Sequence, residues 1–133
     1  MTLKWTPPRL PRQKTATHSN TASYSPIVAL GARRTDGTQI PERDFMRLAY
    51  TGPFSELSAP QFFTDNFNRT GSLAKAFRAT AQAGNREQKR LIKAPVWSFD
   101  RNTFRKNGEI AGFTRDIVDE GNLLRSHQAV RFS

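Results

Sequence analysis

The sequence predicts strands near both ends of one domain, a long helix between them and an extended N-terminal arm, the mix of elements of an α+β fold. Three observations predict it. Between residues 61 and 94, Phe63, Phe67, Ala74, Phe77, Ala81, Gly84 and Leu91 recur at largely helical intervals, while Lys75, Arg78, Arg86, Lys89 and Arg90 fall mostly elsewhere. Residues 15–30 are rich in Thr, Ser, Tyr, Ile and Val, and Gln128-Ala129-Val130-Arg131-Phe132 alternates apolar with polar, as a half-buried strand does. Residues 1–14 set Pro7, Pro8 and Pro11 among Lys4, Arg9, Arg12 and Lys14, which disfavours helix and leaves a basic, extended arm.

Each element follows from local chemistry. The arm is either a disordered tail or a segment that orders against a neighbouring subunit, with Trp5 and Leu10 as its apolar anchors. Residues 15–30 read as strand with a kink or edge at Pro26, ended by Gly31. Asp36-Gly37 is a tight-turn signal, and a short helix opens after Pro41 with Phe45, Met46, Leu48 and Ala49 on its buried side. Gly52, Pro53 and Pro60 make residues 51–60 a linker. The long helix over 61–94 is breakable at 68–71 and is stopped by Pro95. Residues 95–114 read as irregular. In Asp116-Ile117-Val118-Asp119-Glu120-Gly121-Asn122-Leu123-Leu124-Arg125-Ser126, an acidic pair, a Gly and a Leu-Leu pair describe a tight turn into a short amphipathic helical turn that buries a corner.

With 133 residues, the chain suits an arm over 1–14 and one domain over 15–133 with a modest core. Twenty-one Lys and Arg against 11 Asp and Glu give a formal charge of +10, spread along the chain, so a polyanionic neighbour is expected. Zero cysteines exclude disulfides, thiol catalysis and Cys-based zinc sites, and are consistent with a cytosolic product. No apolar run approaches the ~20 residues of a membrane helix, nor does the N-terminus read as a signal peptide, so no membrane partner is expected.

Catalytic constellations are weak. Asp116, Asp119 and Glu120 lack partners at ligand spacing, and His18 and His127 bear no such spacing to them or to each other. No nucleophile sits in an elbow, and Gly108 and Gly112 do not form a phosphate loop, so neither an enzyme nor a cofactor is expected. Residues 97–113 interleave Trp97, Phe99, Phe104 and Phe113 with Arg101, Arg105 and Lys106, which is either a stacking and phosphate-contacting surface or a loop whose aromatics plug into the core. Arg33 and Arg34 stand before the turn at Asp36-Gly37, placed to reach phosphates or merely to serve solubility.

Ala94-Pro95-Val96-Trp97, Arg105-Lys106-Asn107-Gly108-Glu109-Ile110-Ala111-Gly112 and the stretch from Arg115 to Ser126 together resemble the neck and tail-completion (minor tail component) family of tailed bacteriophages. Its members carry a Val-Asp-Thr-Gly-x-Leu-x-x-Ser element after a long helix. Here Val118, Asp119, Gly121, Leu123 and Ser126 match, and Glu120 replaces the Thr. Tyr24-Ser25-Pro26-Ile27-Val28 with Gly31 is similar to the family's Tyr-Ala-x-x-Val-x-x-Gly strand, with Leu30 where Glu is common. Ile40, Pro41, Arg43 and Phe45 are similar to its Ile-Pro-x-Arg-Pro-Phe element, with Asp44 in place of the second Pro.

In the family the long helix comes first and the Ile-Pro-x-Arg element last; here the order is reversed, as in a circular permutation. Two expectations follow. Residues 14–22 and 128–132 should pair as adjacent antiparallel strands, and the two motifs should share one sheet-and-helix unit. The resemblance implies an α+β fold with a small, mainly antiparallel β-sheet packed against the long helix, and a homo-oligomeric ring of about six or twelve copies at the virion's head–tail junction, assembled in the host cytoplasm beside other connector and tail proteins. DNA would pass through it with contacts to phosphate rather than bases. Expected subunit contacts are Trp5, Leu10, Asp36, Trp97, Phe99, Phe104 and Phe113; Arg33, Arg34, Arg101, Arg105 and Lys106 are the residues expected to face DNA or an acidic neighbour. A free-standing basic nucleic-acid-binding protein is the alternative.

Overall fold

The computed structural model of the chain describes residues 2–4, 11–33, 35, 37, 39, 40, 42–98, 103, 104, 110, 111, 114, 115 and 121–133. Strand β1 is short, Ala16–Thr17. The strand expected over residues 15–30 gives way to a helix, α1, at Ser25–Leu30. Pro26 lies in its first turn, where a missing N–H costs nothing and the fixed φ suits the helix, so the β-branched composition loses to the proline's position. Gly31 stops it, its N–H donating to Ile27 O. Strands β2 (Ala32–Arg33) and β3 (Gln39–Ile40) pair antiparallel across the turn at Gly37. Helix α2, Phe45–Thr51, starts later than the proline predicts, because the Asp44 carboxylate caps it by accepting from Arg47 N–H at 3.0 Å.

The long helical run is two helices. Helix α3, Ala59–Thr70, ends at Gly71, which holds the left-handed conformation (φ +66°) that side chains resist. Ser72 then caps helix α4, Leu73–Lys93, by accepting from Lys75 N–H. Ala94 and Pro95 end α4 where the sequence predicts. The linker before α3 is held on α4 by an ion-pair cluster: Glu87 Oε1 accepts from Arg90 at 2.6 Å and from Glu56 N–H at 2.9 Å, and Arg90 also donates to Phe54 O.

Residues 95–114, read as irregular, contain short ladders. Strand β4 (Trp97–Ser98) is followed by β5 (Thr103–Phe104), β6 (Ile110–Ala111) and β7 (Thr114–Arg115), with β4 antiparallel to β7 and β5 to β6. Gly121, at φ +72°, leads into helix α5, Asn122–Arg125, and strand β8 (Arg131–Phe132) ends the chain. Gly suits 121 because of that φ, which side chains resist, whereas a Cβ there would meet only the mobile end of the Arg125 side chain.

The fold is α+β, with the long helix α4 carrying a small two-stranded antiparallel sheet. That sheet is β1 with β8, in register Ala16 to Phe132 and Thr17 to Arg131. Its pairing extends from a reciprocal bond pair between Thr15 and Ser133 to an isolated bridge between Asn20 and His127, and on to Thr21 N–H donating to Ser126 O. The antiparallel pairing expected of the two terminal segments is therefore present. The sheet lies on α4 through Phe132, whose ring meets Phe77 edge-on at 5.8 Å.

The core gathers Ala29 of α1, Phe45 and Ala49 of α2, Leu91 and Ile92 of α4, Trp97 of β4 and Leu123 of α5. Phe45, Leu91, Ile92 and Leu123 are fully buried, each contributing about 1.5–3 kcal/mol by leaving water. Met46 and Leu48 flank this core as half-buried neighbours, close to the buried side predicted for α2. Small residues on the inner face of α4, among them Ala76, Ala81, Ala83 and Gly84, let α2 and α3 approach closely. Gly84 lies directly under Tyr50, so that a Cβ there would overlap the Tyr50 hydroxyl and ring.

Gly84→Ala should therefore lower stability by about 1–3 kcal/mol in urea unfolding, overpacking outweighing the gain of about 1 kcal/mol in helix propensity. Combining it with Tyr50→Ala should recover part of that loss; additive losses would contradict the clash.

Candidate functional site

The chain ends meet α4 along a buried polar seam. His127 Nδ1 accepts from Asn20 Nδ2 at 3.3 Å, and that same amide donates to Leu123 O at 2.8 Å. With Nδ1 accepting, Nε2 carries the proton and donates to Gln88 Oε1 at 2.8 Å. Gln88 in turn donates to Met46 O at 3.1 Å. One network thus ties β1's extension, α2, α4 and α5. Above it, His18 Nδ1 faces Asn85 Oδ1 at 3.4 Å, and Nε2 faces the Tyr50 hydroxyl at 2.6 Å.

Both imidazoles are held neutral. Burial pushes the His127 pKa down to about 4, and the nearby Lys89 charge adds to this. A proton on Nδ1 would also face the Asn20 amide hydrogens. Burial lowers His18 and raises the Tyr50 hydroxyl. His18 and Tyr50 open onto a cleft of about 280 Å³ lined also by Ala16, Phe63, Phe77, Thr80 and Ala81. The Thr80 hydroxyl donates to Ala76 O at 2.8 Å, and beside it stands the hydrogen-bonded His18–Tyr50 pair. Among the described residues no three His, Cys, Asp or Glu side chains cluster as metal ligands.

Two outer faces complete the candidate surfaces. Helix α1 buries Ser25 and Ala29 and turns Tyr24, Ile27 and Leu30 outward, at 36%, 45% and 67% exposure. Three apolar residues at i, i+3 and i+6 form an uncovered face of the kind that marks protein contacts. Helix α4 turns a basic face outward: Lys75, Arg78, Arg86 and Lys93 are exposed and Lys89 half-exposed. The Arg78 guanidinium stacks over the Phe132 ring at 4.4 Å from its centre.

The structure distributes the residues singled out in sequence unevenly. Phe45 and Leu123 share the core, with His127 edge-on to Phe45 at 5.9 Å. Gly121 and Ser126 flank α5, and the Arg43 N–H donates to Val28 O, joining the segment before α2 to α1. Ile40 stands in β3. Trp97 is corrected from a subunit contact to a core residue: it is 6% exposed and its indole N–H donates to Leu91 O at 2.7 Å. An aromatic next to the end of the long helix packs back on that helix rather than outward. Arg33 is exposed in β2, and Phe104 stands in β5. Trp5, Leu10, Arg34, Asp36, Pro41, Phe99, Arg101, Arg105, Lys106, Phe113 and Asp119 lie outside the described residues, as do Asp116 and Glu120.

The face of α4 escaped the list of sequence candidates, although its signal is there. Lys75, Arg78, Arg86, Lys89 and Lys93 follow one another at three-, eight-, three- and four-residue steps, all compatible with one side of a helix. The α1 face had no such signal, because the segment reads as strand. No helix among the described residues is long and apolar enough to cross a membrane.

The neutral His127 predicts a pH dependence. The unfolded chain takes up a proton near pH 6.5 while the folded chain resists it to about pH 4, so stability present above pH 6.5 is lost as pH falls through that window. Unfolding free energies from urea titrations between pH 7 and 4 should fall for the native chain, by up to about 1.4 kcal/mol per pH unit for this group, and fall less steeply for His127→Gln. Equal slopes for the two chains would contradict the assignment.

No family model, no curated protein and no solved structure matches the chain, so what these surfaces do is read from their own chemistry.

Proposed function

We infer that the chain is a structural subunit of a tailed-phage virion, a neck or tail-completion protein that assembles with copies of itself into a ring at the head–tail junction, around the path of the DNA. The observation that carries this reading is the meeting of its two distant motifs: Phe45 and Leu123 lie in one core, closed by antiparallel pairing of the terminal segments. A permuted order requires both. In a permuted order the linker over residues 51–60 would join the old chain ends, and within it Glu56 N–H and Phe54 O are bonded to Glu87 and Arg90 of α4. The role is architectural: the motif after the long helix turns the backbone at Gly121 and buries Leu123.

In this reading the exposed apolar face of α1, Tyr24, Ile27 and Leu30, is a contact between subunits, because a ring leaves each copy one face to bury against the next. The basic face of α4 favours a second reading, a free-standing nucleic-acid-binding protein active as a monomer.

Sedimentation velocity and negative-stain electron microscopy separate them. The purified chain should form closed rings of about six or twelve copies, and Ile27→Asp with Leu30→Asp should give monomers of unchanged circular dichroism. A native chain that stays monomeric at every concentration would leave the second reading in place of the first.

A further inference from the structure

We propose that the outward face of α4 binds the phosphate backbone of duplex nucleic acid, with Lys75, Arg78, Arg86, Lys89 and Lys93 making the contacts. This inference needs only the surface of a single subunit and holds whether or not the chain forms a ring. At about 100° and 1.5 Å per residue, the five cations and Gln82 occupy an arc about 80° wide and a row about 27 Å long, on the side opposite Leu91 and Gly84. The helix carries six cations against one acid, a net charge of +5. That acid, Glu87, is turned inward and engaged by Arg90, so nothing acidic stands in the row. No ion pair among the described residues neutralises any of the five.

A row of uncompensated charge on a stiff rod repels itself, and the fold retains it on a helix held from behind by α2 and α3. One member is placed in advance: the Arg78 guanidinium carbon lies over the Phe132 ring at 4.4 Å from its centre, a contact to the ring face that leaves N–H groups for oxygen acceptors. Duplex nucleic acid supplies the matching partner, a stiff polyanion with one negative charge per about 1.7 Å of axis. A lipid surface is a poorer fit, because interfacial helices interleave large apolar side chains with their cations. Here Gln82 fills the gap in the row, and the exposed large apolar residues Leu3, Tyr24, Ile27, Leu30 and Phe54 all lie outside α4. Contacts of this kind position the duplex without reading its sequence.

The test is fluorescence anisotropy of a labelled random-sequence DNA duplex of about 30 base pairs with the full-length chain at several KCl concentrations, a length that covers the row nearly four times over. Two triple variants remove equal charge: Lys75→Gln, Arg86→Gln, Lys93→Gln on the row, and Lys4→Gln, Arg47→Gln, Arg69→Gln away from it. The row variant should bind at least tenfold more weakly and lose about three from the slope of log K against log salt, the charge-matched control losing far less. Equal losses in both variants would mean net charge alone and overturn the assignment, as would a row variant that binds like the native chain. Tighter binding to phosphatidylserine vesicles or to an acidic peptide than to the duplex would overturn the choice of partner. Should the triple row variant unfold by circular dichroism, Lys75→Glu and Lys93→Glu, singly at the two exposed ends of the row, carry the same comparison.

Discussion

Much of this fold depends on one contact, the bond between His127 and Gln88. It joins the last segment of the chain to the middle of the longest helix, and each partner holds something further: His127 takes the Asn20 amide, and Gln88 gives to Met46 O. The first turn of α5 is bound to the same network through Leu123 O. A buried polar network of this kind is favourable only when each member is satisfied, which specifies one arrangement of elements where apolar packing alone would tolerate several. The neutral imidazole is part of that specification, since only one tautomer suits both neighbours.

Helix α4 divides the chemistry of the molecule. Its inner face is made of small residues and polar groups that accept close neighbours: Gly84 under Tyr50, Gln88 under His127, Asn85 under His18. Its outer face is cationic over its whole length. The two requirements do not conflict, because a 3.6-residue period lets one helix present unlike surfaces to core and solvent. The same separation occurs on a smaller scale in α1, where Ser25 and Ala29 point in and Ile27 and Leu30 point out. One surface is suited to an anion and the other to a protein, and they lie on different elements.

Strong local signals were legible along the chain. Pro95 ends α4, and the buried side of α2 is the predicted one. Asp44 moved the start of α2, and Gly71 with Ser72 converted a breakable run into two helices. Residues 25–30 were misread because β-branched composition is a weak preference that a proline in the first turn overrides. Trp97 was misplaced for a different reason: an aromatic among basic residues carries the same pattern whether its ring stacks on a ligand or fills a core, and only the Leu91 carbonyl decides between them.

The amino-acid sequence by itself determined the mix of helix and strand, the existence of the long helix and its end, and the +10 charge. These depend on periodicity, on residues with restricted backbones and on composition, all of which are local or additive. Only the tertiary structure decided that Phe45 and Leu123 share a core, that His127 is buried and neutral with a half-buried His18 above it, and that α1 leaves an apolar face exposed among the described residues. Those facts depend on which surfaces meet across 78 to 109 residues of intervening chain, as Phe45 and His18 stand to Leu123 and His127, and no local preference encodes such a meeting.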